Sequence, residues 1–183
     1  GITQISAANE TVFGLLADGT VVGWGSNFAG VLGTGHGSDV SWVGSAQPVA
    51  GLSNIVQIGS GTQQAFFLRG DGTVWATGRN TFSAALGNTS AGDQSAAPVR
   101  VGTLTDVTLI AGSHQGGYAL TSDGTVWSWG SNYAGVMGDG TTPVPPQWYP
   151  GAPVYASATP AQVVGLPGRV TQLAGSFAGG VAL

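Results

Sequence analysis

Few residues in this chain could do acid–base or nucleophilic chemistry. His36 and His114 are the two imidazoles among 183 residues, and Cys and Lys are absent. That excludes Schiff-base chemistry on lysine, a thiolate nucleophile and any cysteine metal site. Ser38, His36 and Asp39 contain the side-chain types of a hydrolytic triad. Neighbours in a Gly-rich loop lack the fixed relative orientation that a triad needs, so His36 reads as a solvated loop histidine. His114 follows a first strand in Ala111-Gly112-Ser113-His114, at another phase of the chain. The carboxylates Asp18, Asp71 and Asp123 recur, but each stands alone in a tight turn, whereas a calcium site needs six to eight converging oxygens. Gly-x-Gly spacings between Gly23 and Gly37 lack the strand–glycine–helix context of a dinucleotide site. The expectation is no catalytic residue, no metal and no cofactor.

Binding chemistry is better represented. Trp24, Trp75, Trp127 and Trp129 sit at repeated positions, which suits packing. Trp42 and Trp148 break the pattern. Trp42 lies in the 38–45 loop, and Trp148 with Tyr149 lies in the Pro-rich stretch Thr141 to Pro150, inside an insertion of about ten residues. Inserted loops rich in Trp and Tyr are favoured contact surfaces. Trp42, Trp148, Tyr149 and Tyr155, with His36 and Asp39 beside them, are therefore the candidate partner-binding residues. The competing reading folds Trp148, Tyr149 and Tyr155 back over their own sheet as a lid.

These side chains are carried on a repeat. Asp-Gly-Thr-Val occurs at 18–21, 71–74 and 123–126, spacings of 53 and 52 residues. A short apolar run precedes each copy, and Val-Val-Gly-Trp-Gly-Ser-Asn (21–27), Val-Trp-Ala-Thr-Gly-Arg-Asn (74–80) or Val-Trp-Ser-Trp-Gly-Ser-Asn (126–132) follows. Asp-Gly between β-branched runs signals a hairpin, expected here as a type I′ turn. No segment keeps a helical period over 10–12 residues. Four short strands per unit of about 50 residues form a blade, and blades protect their faces by stacking radially. The units run over approximately 2–54, 55–106, 107–169 and a partial 170–183. The fold class is all-β, a propeller of four-stranded antiparallel blades, with about three blades and part of a fourth.

The pattern Leu-x-x-Asp-Gly-Thr-Val-x-x-Trp-Gly-x-Asn-x-x-Gly-x-Leu-Gly resembles the repeat of the regulator of chromosome condensation (RCC1-like) propellers, over essentially the whole chain. Thr77 departs from it, standing where Trp24 and Trp129 stand, and one residue is inserted before Leu86-Gly87. Those departures bring the packing of the second blade into question. The resemblance implies a binding propeller. Members of the family serve as nucleotide exchange factors for a small GTPase or dock on chromatin, and a secreted bacterial branch includes inhibitors of β-lactamase. The matching residues are those that build blades, so no exchange or inhibitor residue transfers.

Composition narrows the partner. Only 7% of residues are charged, against roughly 25% in an average soluble domain. A net charge of −4 with four Arg argues against nucleic acid. No apolar run reaches the length of a membrane-spanning helix, so membrane insertion is not expected. A weakly charged, hydroxyl-rich surface without Cys suggests an extracellular or cell-surface protein of bacterial type. The expected function is a non-enzymatic protein-binding scaffold acting through inter-strand loops. The alternatives are a carbohydrate-binding module for a surface glycan and a structural module of a surface assembly. Residues 170–183 match strands that are followed by the Asp-Gly turn elsewhere, so further blades are expected from a longer chain or from a homo-oligomer.

Overall fold

The computed structural model describes residues 1–37, 41–81, 84–141, 156–176 and 179–183. Its first sheet is the meander β1 (Ile2–Ala8), β2 (Thr11–Leu16), β3 (Val21–Ser26) and β4 (Trp42–Pro48). The second comprises β5 (Ile55–Ser60), β6 (Gln64–Arg69), β7 (Val74–Arg79) and β8 (Gln94–Arg100). The third comprises β9 (Val107–Ser113), β10 (Gly116–Thr121), β11 (Val126–Ser131) and β12 (Ala156–Gln162). A last pair, β13 (Leu173–Ser176) and β14 (Gly179–Ala182), begins a fourth sheet. All pairings are antiparallel between sequence neighbours. The first strand of each sheet contacts the first strand of the next, β1 to β5 to β9 to β13, which is the inner line of a propeller. The outer strands β4, β8 and β12 carry Pro48, Pro98 and Pro160, tolerated where a strand has a free edge.

The Asp-Gly turns differ in type from the sequence expectation. A type I′ turn needs φ > 0 at both central residues. Gly19, Gly72 and Gly124 have φ of 80°, 78° and 89°, whereas the preceding Asp residues do not enter that region. Leu16 N–H bonds to Thr20 O while Gly19 N–H bonds to Leu16 O, and the same pair of bonds recurs at Arg69 and Thr121. This is a three-residue loop with glycine in the left-handed position. The aspartate has its own role. Asp18 Oδ1 accepts from the backbone N–H and hydroxyl of Thr20 at 3.0 and 2.6 Å, Asp71 does the same with Thr73, and Asp123 accepts from Thr125 N–H and the Thr121 hydroxyl. Short polar side chains stabilise turns by such local bonds.

Each sheet buries one face against the next. Phe13 meets Phe67 edge-on with centroids 5.7 Å apart, and Phe66 meets Trp129 at 5.5 Å. Offset or edge-on contacts of this kind add to the burial of the rings themselves. The structure answers the question raised by Thr77. Trp129 lies over Gly117, where a Cβ would collide with its ring, and Ala119 is its neighbour on that face. In the second blade the bulk moves to Phe67 and the small residue to Thr77, so the filled volume is similar. Both residues also make the same tie to the preceding blade: the Thr77 hydroxyl donates to Val31 O at 2.6 Å and Trp129 Nε1 donates to Ala85 O at 3.1 Å.

A second tie runs along the inner strands. Gln4 Nε2 donates to Ile58 O at 2.9 Å, and its Oε1 accepts from Ile58 N–H at 2.9 Å. Gln57 clasps Ile110 in the same way, at 3.1 and 2.9 Å. A shift in strand register just before each glutamine, between Ile2 and Gln4 and between Ile55 and Gln57, aims the side chain at the neighbouring blade. The next equivalent residue is Leu109, and there the amide tie is replaced by apolar packing with Leu120, Val126 and Leu173.

Two outcomes follow. Gln57→Ala removes both bonds and leaves the Ile110 amide without its acceptor, which costs about 1–3 kcal/mol in denaturant unfolding. The Asp18, Asp71 and Asp123 carboxyls lie below their usual 3.8, first because of the threonine hydroxyl bonds and then the backbone N–H bonds. A group with a lowered folded pKa stabilises fully above its unfolded value and loses that contribution as pH falls through the folded value. NMR titration of the three carboxyls therefore gives midpoints below 3.8, and thermal stability declines as pH drops below about 4.

Candidate functional site

The loops that leave the third strand of each blade open at one end of the meanders, and one asparagine organises each of them. Asn27 Oδ1 accepts from Leu32 N–H at 3.1 Å, while its Nδ2 donates to the carbonyls of His36 and Gly37. Asn80 Oδ1 accepts from Leu86 N–H, and Nδ2 donates to the carbonyls of Ala91 and Gly92. Asn132 Oδ1 accepts from Met137 N–H, and its amide reaches the Thr141 hydroxyl at 2.7 Å and Asp139 Oδ1 at 3.4 Å. Asn27 and Asn132 are buried, so these bonds replace the water the amide gave up. Burial raises the Asp139 carboxyl, but the hydrogen bonds from Thr141, its own backbone and Asn132 outweigh it and hold the group below the usual range.

Glycine and alanine then shape the path. Gly25, Gly78 and Gly130 have φ of 98°, 106° and 99°, and a Cβ there would run into the carbonyls of Glu10, Gln63 and Gln115. The Trp-Gly step of the repeat thus exists for close backbone approach. Two residues beyond each asparagine in the first and third blades, Ala29 and Ala134 take the left-handed conformation at φ 56° and 57°. They lie inside short 3₁₀ turns at Phe28–Gly30 and Tyr133–Gly135.

The structure separates the sequence candidates. Trp42 is not in the expected 38–45 loop but opens β4, where pairing with Ser26 draws it into the outer strand; it is exposed at the loop end of the first blade. His36 is exposed, and its carbonyl anchors Asn27. Asp39, Trp148, Tyr149 and Tyr155 lie outside the described residues. Two residues were missed: Phe28 and Tyr133 are exposed large aromatics at the same repeat position, directly after the buried asparagine. Recurrence of an aromatic next to Gly-x-Asn was the available signal. The Arg79 guanidinium of the second blade stands 5.9 Å from the Phe28 ring, so Phe28, Trp42 and Arg79 gather at one end of the first two blades.

His114 belongs to another set. Its Nδ1 is 2.7 Å from the Thr62 hydroxyl, and Asn9 Nδ2 donates to Thr62 O at 3.0 Å. Asn9, Thr62 and His114 occupy the same position in successive blades, so the histidine links blades. Among the described residues no group of three His, Asp or Glu could hold a metal ion. At the Asp-Gly turn end, an open cleft of about 710 Å³ separates the second and third blades, lined by Trp127, Asp106, Asp123, several threonines and residues 87–90 of the second-blade loop.

The regulator of chromosome condensation (RCC1) repeat matches residues 107–136 and again residues 123–179. The chain is 28% identical over 138 residues to the human protein described as probable E3 ubiquitin-protein ligase HERC6, covering 74% of this chain and 13% of that one. The crystal structure of Prp20p from Saccharomyces cerevisiae, described with its binding to Gsp1p and histones, superposes with a TM-score of 0.80 at 17% identity, over 96% of this chain and 42% of that one. Yeast RCC1 (Prp20) bound to Kap60 gives 0.81 at 23% identity, over 100% and 41%. The fold is that of the RCC1-like β-propeller, and the repeat matches support the RCC1-like family. The chain spans about two fifths of these solved relatives.

Asn132→Ala removes the anchor of the third-blade loop. It is expected to lower stability by about 2 kcal/mol, since the Met137 amide loses its acceptor, and to speed hydrogen exchange at Met137 while leaving Leu32 and Leu86 protected. Site-resolved exchange measured by NMR checks this.

Proposed function

We propose that this chain contributes blades to a larger, non-enzymatic propeller that binds a protein partner through the loops following the third strand of each blade. The observation that carries the reading is the contrast between anchor and loop. Asn27, Asn80 and Asn132 make equivalent bonds, while the loops they hold differ in sequence and length. A fixed scaffold with variable loops is how repeat proteins present recognition surfaces. The exposed aromatics Phe28, Trp42 and Tyr133 supply the residue types enriched in contact hot spots.

The first blade favours a larger ring. Ile2 and Ile5 are 49% and 62% exposed, while their counterparts Ile55 and Ile58, covered by a preceding blade, are 3% and 2% exposed. A blade on that face would bury an apolar surface of the same kind. The relatives named above lend the partner class: Prp20p is described with Gsp1p and histones, and yeast RCC1 with Kap60. The low charge of the chain favours an extracellular setting in our reading.

Affinity capture followed by mass spectrometry tests the proposal. A Phe28→Ala, Trp42→Ala, Tyr133→Ala triple variant should lose a partner that the unaltered protein captures, with the melting temperature unchanged within about 3 °C. Retention of the same partner by the triple variant refutes the loop site. Binding to a glycan array that disappears in the variant instead supports the carbohydrate reading.

A further inference from the structure

We propose that the cleft between the second and third blades is a receptor site for an arginine side chain presented by a partner protein. The inference rests on the protein-binding reading, because the cation arrives on another chain. The molecule contains its own template for the occupant. In the cleft between the first and second blades, the Arg69 guanidinium lies 4.7 Å above the Trp75 ring and donates to Gly51 O at 3.3 Å. Asp71 follows two residues on, and the Arg69 charge helps to lower its carboxyl. Stacking on tryptophan, a carbonyl acceptor and a nearby carboxylate are the three things a guanidinium uses best.

One blade further on, the fixed parts recur and the cation does not. Trp127 stands for Trp75, Asp123 for Asp71 and Thr103 for Gly51, while Arg69 is replaced by Thr121. The equivalence is set by backbone bonds, Arg69 N–H to Thr73 O matching Thr121 N–H to Thr125 O, and Val49 N–H to Val21 O matching Val101 N–H to Val74 O. Thr121 is too short to cover the ring, and its hydroxyl is bound to Asp123. The space that a guanidinium fills in the first cleft is open here, part of the 710 Å³ between Trp127, Thr103 and Asp123. Trp75 Nε1 donates to Thr73, whereas among the described residues Trp127 Nε1 has no acceptor.

Charge selects the guest. Asp106 and Asp123 line the cleft, and no arginine does. Arg100 and Arg169 are engaged with the carbonyls of Leu104 and Ser122, at 3.2 and 2.8 Å. A planar cation fits this surface better than the compact, strongly hydrated ammonium of lysine.

The test is an NMR titration of the whole protein with acetyl-Gly-Arg-Gly-amide, following the indole N–H of Trp127, assigned through Trp127→Phe. Saturable shifts of that signal are expected, with the isosteric citrulline peptide binding at least about tenfold more weakly. Thr121→Arg should fill the cleft from within, as Arg69 does next door, and abolish peptide binding while the protein stays folded by circular dichroism. Equal binding of the arginine and citrulline peptides, an unshifted Trp127, or unchanged binding in Thr121→Arg overturns the proposal, as does a Trp127 response to neutral sugars alone. The two readings fail separately. If the peptide binds at Trp127 but no protein is captured, the protein-binding reading falls and the guanidinium chemistry stands. If a protein is captured but Thr121→Arg leaves both its binding and the peptide's unchanged, the cleft falls and the loops stand.

Discussion

Everything in this molecule depends on a sheet of four short strands having two apolar faces and only one chain to cover them. A single blade cannot bury Phe66 on one side and Phe67 on the other, yet both are fully buried because a neighbouring blade lies against each face. The consequence is visible where that cover is missing: Ile5 faces solvent although Ile58 and Ile110, at the same repeat position, are core residues. Packing between blades therefore decides which residues can vary, and volume can move between positions as long as the sum is kept. The exchange of Trp129 and Ala119 for Thr77 and Phe67 shows this directly.

Apolar faces alone would let blades slide over each other, since hydrophobic burial has no direction. Directed bonds set the register. The glutamine amides of Gln4 and Gln57 each clasp both polar groups of one residue on the next inner strand, and Thr77 and Trp129 reach the loop carbonyls of the blade before. Such bonds contribute only about 1 kcal/mol each in net stability, but leaving their partners unpaired costs more. They convert a stack of greasy sheets into a scaffold of defined geometry. On that scaffold the asparagine at the end of each third strand holds loops whose other residues are free to differ. The cleft facing Trp127 shows how few changes this takes: where Arg69 and Asn54 stand in one blade, Thr121 and Asp106 stand in the next, leaving the tryptophan ring uncovered beside two carboxylates.

Much of this was legible in the residues. Asp-Gly-Thr-Val at intervals of 52 and 53, with apolar runs on either side, carried the meanders and the blade count, because each strand and turn is a local event. The absence of Lys and Cys bounded the chemistry. The turn type was misjudged because Asp-Gly suits two kinds of hairpin, and the pairing of Leu16 with Thr20 is what selects between them. Trp42 stood out because it breaks the repeat, while Phe28 and Tyr133 did not, because an aromatic inside a repeat reads as packing until its exposure is known.

The sequence by itself determined the elements and their order, since these follow from short-range pattern. Only the tertiary structure decided which repeat positions touch. Gln4 meeting Ile58, Thr62 meeting His114 and Arg69 covering Trp75 join residues of different blades or of different strands. No period along the chain reports the space between two sheets. That space, filled in one cleft and open in the next, is where the molecule distinguishes its core from its surface.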